Sequence, residues 1–251
     1  MSTDTGTTTP VAVVTGAGGG LGAVCARALA GTGLSVACVD IDETAATRTA
    51  TEITATGVPA AAYAADITAE SSVRALVDSI HADLGRVSHL VNTAGILHRT
   101  GLADTSAASW RQVLDVNVTA PFLLTQAFAD DLRASRDARI INCASFAGTR
   151  GYEYPAYAAS KAALINLTSS LMFDFWGTSV TVNAVAPGAM RTPMLDHAAA
   201  ERMAAKTPTG RILDAEDVAA VVTFLAGPAS RGVNGTTTVI DGGASLLFSY
   251  K

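Results

Sequence analysis

The segment that most limits what this chain can fold into is Val11-Ala12-Val13-Val14-Thr15, which runs straight into Gly16-Ala17-Gly18-Gly19-Gly20-Leu21-Gly22. The first five residues are apolar and β-branched, the pattern of a strand covered on both faces. A glycine turn follows, then a helical pattern from about Leu21 to Ala30. Backbone amides at a helix N-terminus attract phosphate, and glycine lets the backbone come close to it. A second apolar run, Ser35 to Val39, ends at Asp40. An acid there can accept hydrogen bonds from the ribose hydroxyls of an adenosine and repel a 2′-phosphate. The alternative for Asp40 is a solvated turn acid, since Asp42 and Glu43 follow. No Arg or Lys occurs between Thr15 and Ala26 to attract a 2′-phosphate. The pattern therefore favours NAD over NADP.

The alternation continues to the C-terminus. Helical patterns at Glu43–Ala55 and Glu70–Leu84 flank a weak strand near Ala60–Ala64. Val87–Val91, Arg139–Cys143, Val180–Val185 and Thr236–Ile240 read as further strands. Ala107–Leu132 reads as one long helix, bent or interrupted at Pro121. A helix ending near Trp176 precedes the sixth strand, and Ala215–Leu225 precedes the last. Strand and helix in strict alternation predict an α/β fold: one Rossmann-like, doubly wound parallel sheet of about seven strands with helices on both faces. Residues 1–9 are Thr-rich and read as a loose tail rather than a signal peptide. Residues 10–251 read as a single domain. Residues 190–213 break the alternation and are the candidate for a substrate lid.

The chain has 251 residues, 49 % of them apolar, and a net charge of −5. That argues against nucleic acid as a partner, because neutralising phosphates needs a basic face. No apolar run reaches the roughly 18 residues of a membrane span. Cys25, Cys38 and Cys143 lie in apolar surroundings and read as buried reduced thiols of a cytoplasmic protein. His81, His89, His98 and His197 lack metal-ligand spacing, so no metal is expected.

Tyr157 and Lys161 are four residues apart and share one helix face. An ammonium beside a phenol favours the phenolate, which lowers the tyrosine pKa from its reference of about 10 and makes it a usable acid and base. Ser145 lies one short loop earlier. Together these residues resemble the short-chain dehydrogenase/reductase family. The glycine segment looks like its T-G-x-x-x-G-x-G, and Asp66-Ile67 like its adenine-contacting pair. Asn92-Thr93-Ala94-Gly95 is similar to its N-N-A-G, with Thr in second place. Asn117, Ser145, Tyr157 and Lys161 match its active-site set. Pro187-Gly188-Ala189-Met190-Arg191-Thr192 resembles its P-G-x-x-x-T, and Asp241-Gly242-Gly243 its closing D-G-G. The loop before Tyr157 is one residue short, so a strict count puts Ala144 where the serine belongs; the local S-x-x-G with Gly148 selects Ser145.

The resemblance implies an oxidoreductase moving a hydride between NAD and a secondary alcohol or ketone. Tyr157 would be the acid/base, Ser145 would bind the substrate oxygen, and Lys161 would lower the Tyr157 pKa and hold the nicotinamide ribose. Asn117 would hold a water linking Lys161 to solvent. The cofactor would lie along Gly16, Gly20, Leu21, Gly22, Asp40, Ile41, Asp66, Ile67, Asn92, Ala94, Gly95, Pro187, Gly188, Met190 and Thr192. Ile96, Leu97, Phe146, Ala147, Tyr152, Tyr154, Met190 and Met194 would line a mostly apolar substrate site. Arg150 reads as a solvated loop residue or as a partner for an anionic group. The apolar tail Leu246–Tyr250 reads as part of a subunit interface or as a cover for its own sheet edge, and the resemblance implies a homotetramer. Two rivals are an NADPH-dependent 3-oxoacyl-thioester reductase and a nucleotide-binding regulatory protein without turnover.

Overall fold

The structure, a computed structural model, describes residues 9–191 and 197–249. The tail before residue 9, with Thr192 and Met194, lies outside the described residues. The strands are β1 (Val11–Thr15), β2 (Ser35–Asp40), β3 (Ala60–Ala64), β4 (Val87–Asn92), β5 (Arg139–Cys143), β6 (Thr181–Pro187) and β7 (Thr237–Ile240). All pair in parallel, in the order β3-β2-β1-β4-β5-β6-β7. Side chains alternate across a strand, so β1 feeds two cores. Ala12 and Val14 join the cluster under α1 (Gly20–Ala30) and α9 (Ala215–Ala226). Val11 and Val13 join the one under α3 (Glu70–Asp83) and the C-terminal half of α7 (Pro155–Asp174). Helices therefore cover both faces, as the alternation predicted.

Strand order reverses between β1 and β4. In an open parallel sheet, ligands bind outside the strand C-termini at such a switch. Thr15 and Asn92 end these two strands side by side, in register.

The long helix predicted over Ala107–Leu132 is broken earlier than expected. It divides into α4 (Ala107–Leu114), one π turn over Asp115–Thr119, α5 (Ala120–Ala127) and α6 (Ala129–Ala134). Pro121 follows this π turn directly, and because the chain is helical on both sides of it, its missing N–H and its ring act on the carbonyl four residues back, Asn117, within the turn. The π turn inserts one residue and re-aims Asn117 inward, where it is fully buried. α2 spans Glu43–Thr54, with Asp42 accepting from the Ala45 N–H at its start. Within the lid segment, α8 spans His197–Ala204.

Candidate active site

The nucleotide end is built by close packing of backbone. Gly16 has φ +68°, and a Cβ there would lie 3.0 Å from the Ala94 Cα. A Cβ on Gly22 would lie 2.1 Å from the Gly16 carbonyl oxygen, so α1 rests directly on the turn. Thr15 Oγ1 accepts from the Ala94 N–H at 3.1 Å, and the Thr93 hydroxyl donates back to the Thr15 carbonyl. The Thr that departs from the family pattern thus ties the two switch-point loops together.

Asp40 Oδ2 accepts from the Gly18 N–H at 2.9 Å and Oδ1 from the Asp42 N–H at 3.1 Å. The Arg48 guanidinium donates to the Gly18 carbonyl at 2.8 Å, and Thr49 donates to Ala17 at 2.7 Å. The sequence reading missed Arg48 because it searched only the glycine segment for a cation. Ala45 and Thr49, four apart, mark the face of α2 that packs on the turn, and Arg48 adjoins that stripe. A cavity of about 310 Å³ opens beside Thr15, Gly16, Asp40, Ile41, Asp66, Ile67, Ala94 and Gly95. The Thr68 hydroxyl, then its N–H, hold the Asp66 carboxyl below its usual pKa.

This cavity shares Gly95 and Ile96 with the next, of about 190 Å³, which holds Ser145, Tyr157 and Lys161 beside Leu21, Leu97, Pro187, Gly188 and Met190. Ser145 follows the end of β5 in extended backbone and caps the short turn Phe146–Gly148, accepting from the Ala147 N–H at 3.2 Å. A Cβ on Gly148 would lie 2.5 Å from the Lys161 carbonyl carbon, so this turn is seated on α7. The Ser145 hydroxyl hydrogen-bonds Tyr157. Ala144 lines the same cavity and packs with Ala184 and Ala186, so of the two candidate positions Ser145 is the one that brings a hydroxyl to it.

Electrostatics at this end differ from the sequence reading. Burial pushes the Tyr157 hydroxyl up to about 12, and the Ser145 hydrogen bond opposes it only in part. The Lys161 Nζ stands 5.7 Å from the Tyr157 ring centroid and donates instead to the Cys143 carbonyl at 2.7 Å. Burial also lowers the Lys161 pKa. Desolvation of both charged forms outweighs the attraction between them. A Tyr157 serving as the base of an alcohol oxidation, the role proposed below, would be deprotonated in growing proportion as pH rises towards the raised pKa. We expect alcohol oxidation at saturating cofactor to accelerate from pH 6 to pH 10. Ketone reduction, which needs the protonated hydroxyl, should stay level over the same range. Initial rates in both directions test this, and a pH-independent oxidation would overturn it.

Asn117 is fully engaged on its amide side. Nδ2 donates to the Ile96 carbonyl and to Ser160 Oγ, each at 3.0 Å, and Oδ1 accepts from the Ile96 N–H at 2.9 Å. It fixes the loop after β4 against α7. Asn92, expected to bind cofactor, is instead buried, with Nδ2 donating to Asn142 Oδ1 at 2.8 Å; Asn142 passes the chain to Thr168. Its carbonyl oxygen is buried without a partner among the described residues. Asn92 therefore supports the sheet from below the site.

Beyond Gly188 lies a further cavity of about 290 Å³, lined mainly by apolar side chains including Phe146, Tyr152, Met203, Ile212 and Leu213. Phe146, Tyr152 and Tyr154 form an edge-to-face ladder with 5.5 Å between successive centroids. One expected lining residue is corrected. Ala147 is 1 % exposed and faces the protein interior. Tyr154 caps α7 and backs the Tyr152 ring. Arg150, half-buried, lines this cavity and donates to the Ser245 carbonyl at 3.0 Å, which ties it to the C-terminal segment. In the tail, Leu246 and Leu247 are exposed. The segment 190–213 is closed at its base. Met190 and Leu213 form a parallel bridge, with the Arg191 N–H donating to the Leu213 carbonyl at 2.7 Å and the Leu213 N–H to the Ala189 carbonyl at 3.1 Å.

A doubly wound sheet, a glycine turn at the switch point and an adjoining Ser–Tyr–Lys cavity define a nicotinamide-dependent oxidoreductase of CH–OH groups. The family described as enoyl-(acyl carrier protein) reductase matches residues 16–245. The chain is 33 % identical to 2-(S)-hydroxypropyl-CoM dehydrogenase 3 of Xanthobacter autotrophicus, over 94 % of this chain and 97 % of that one. It is 37 % identical to a 3-oxoacyl-[acyl-carrier-protein] reductase of Synechocystis, over 97 % and 100 %. An NAD+-bound xylitol dehydrogenase superposes with a TM-score of 0.87 at 30 % identity, covering 93 % of this chain and 98 % of that one. The protein belongs to the short-chain dehydrogenase/reductase family and acts on secondary alcohols or ketones.

Proposed function

We propose that this protein is an NAD-preferring dehydrogenase of secondary alcohols with hydrophobic substituents, in which Tyr157 is the general acid/base. The observation that carries the reading is one continuous trough. Asp40 stands at its adenosine end, the Ser145–Tyr157 hydrogen bond at its centre, and an apolar wall beyond. The residues suit a dinucleotide: Gly16 and Gly22 bring backbone together where a Cβ could not fit, and Asp40 faces the adenosine cavity. Asp40, Ile41, Asp66 and Ile67 would hold the adenosine, and the turn Gly20–Gly22 its phosphates. Bound nicotinamide would accept or donate the hydride. Ser145 would donate to the substrate oxygen, Tyr157 would take or give its proton, and Lys161 would hold the ribose beside Gly95. Asn117 keeps Ile96 and Ser160 in place around them, and the water expected at Asn117 belongs to the same proposal. Residues 190–213 would form the wall and lid over the substrate, Thr192 and Met194 among them.

Asp40 both accepts from ribose hydroxyls and repels a 2′-phosphate. Initial rates with NAD(H) and NADP(H) on a panel of ketones and secondary alcohols test this. The native protein should prefer NAD(H), and Asp40→Ala should shrink the preference by about tenfold, the scale of one charge-assisted hydrogen bond. Equal use of both cofactors by the native protein would end the assignment. The rival 3-oxoacyl-thioester reductase has the Synechocystis relative in its favour; acetoacetyl-CoA in the same panel separates the two.

The homotetramer of the proposal has candidate faces. Phe173 and Trp176 stack in parallel, 65 % and 80 % exposed, at the end of α7. Phe224 on α9 and Val239 on β7 are exposed on another side. Exposed apolar patches of this kind are ordinarily covered by a second copy. The three cysteines are free and buried, and burial pushes Cys25 and Cys38 up to about 12. Inert thiols suit the proposed cytoplasmic setting. Among the described residues no helix is long and apolar enough to cross a membrane.

A further inference from the structure

We infer that Arg48 is a second reader of the adenosine ribose: a guanidinium placed to bind a 2′-phosphate and held out of use by Asp40. The inference rests on the assignment of Asp40 to the ribose hydroxyls. Its ground is the geometry at one peptide. The Gly18 N–H is gripped by the Asp40 carboxylate at 2.9 Å, and the Gly18 carbonyl by the Arg48 guanidinium at 2.8 Å. An acid and a base from different elements, β2 and α2, therefore meet at the same glycine.

The turn itself can offer no cation at this point. A Cβ on Gly18 would lie 2.8 Å from both Asp40 Oδ2 and the Ala45 Cβ, so any side chain there would collide. Of the other nearby charges, Arg27 is paired with Glu52 at 2.9 Å and Arg191 with Asp214 at 3.1 Å, and Asp42 and Glu43 at the start of α2 are acids. Arg48 is the basic group that reaches the turn from α2. It is exposed, and its contact to Gly18 is with a neutral carbonyl. A guanidinium has five donors in a planar fork, which leaves it able to meet a phosphate. With Asp40 in place, a 2′-phosphate would meet a carboxylate before it met Arg48. With that carboxylate removed, the same corner becomes basic.

The competing account makes Arg48 only a brace for the turn. A brace supports NADH and NADPH alike, because both carry the same pyrophosphate. A 2′-reader changes their ratio. Calorimetric titration with NADH, NADPH and 2′,5′-ADP separates the two, using native protein, Asp40→Ala, Arg48→Met, and the double variant with and without Lys in place of Met. Asp40→Ala should improve NADPH relative to NADH by about tenfold or more. Adding Arg48→Met should remove that gain and weaken 2′,5′-ADP in step. Adding Arg48→Lys instead should keep part of it, since a point charge replaces a fork. A double variant that retains the whole NADPH gain, or that loses NADH and NADPH in equal proportion, would overturn the inference and leave the Asp40 assignment standing. Native protein that binds NADPH as tightly as NADH would overturn the Asp40 assignment itself.

Discussion

Tyr157→Phe should fold, bind NADH and turn over about 10²- to 10⁴-fold more slowly than the native protein, the range for losing a positioned general acid/base. The ring stays and one oxygen leaves. That oxygen's partner is Ser145, which still accepts from the Ala147 N–H, so the short turn keeps its cap. The loss should appear in kcat in both directions, while NADH affinity and melting temperature barely move. Ser145→Ala should cost about 10²- to 10³-fold, the scale of one donor to a developing oxyanion. It also uncaps the turn, so a small fall in melting temperature should accompany it. If Tyr157→Phe turned over near the native rate, another group would have to carry the proton.

The second large effect concerns the fold beneath the cofactor. Gly22→Ala places a methyl 2.1 Å from the Gly16 carbonyl oxygen and 2.6 Å from its carbon, both backbone atoms that cannot rotate away. Helix α1 must lift off the turn. Forced overpacking costs about 1–3 kcal/mol or more, which for a domain of this size lowers the melting temperature by several degrees. NADH affinity should fall with it, because the displaced turn is the one that would hold the phosphates. Gly19→Ala is the control: its backbone is extended and no heavy atom lies within 4 Å of the added methyl. Differential scanning calorimetry of the two variants decides the matter. A Gly22→Ala melting temperature equal to that of Gly19→Ala would mean that the contact is not as tight as the structure has it.

Strands were legible because buried parallel strands demand short β-branched runs, and Val11–Thr15, Val87–Asn92 and Arg139–Cys143 fall where the runs do. The glycine turn, Asp40 and the Tyr157–Lys161 spacing were legible because each is local. What escaped was set by tertiary context. Pro121 marked the interruption, but not its form: the irregularity is a π turn just before the proline, and it buries Asn117. Lys161 looked like the cause of a low tyrosine pKa, yet the two side chains are desolvated together and burial dominates. Arg48 reaches Gly18 across thirty positions of sequence, a contact that no window on the glycine segment could contain. Ala147 was expected at the substrate wall, yet the short turn Phe146–Gly148 buries its side chain.

The bridge between Met190 and Leu213 has an evolutionary consequence. The segment it encloses leaves the sheet and returns at hydrogen-bonded neighbours, so the scaffold meets the same two endpoints whatever lies between them. The entropy of closing a loop grows only with the logarithm of its length, about 0.6 kcal/mol for each doubling. Insertions, deletions and wholesale replacement of that stretch should therefore leave β5, α7 and the proton-transfer residues undisturbed. The molecule is in effect a fixed chemical engine with an interchangeable mouthpiece, and a new substrate preference could be installed by grafting one contiguous cassette.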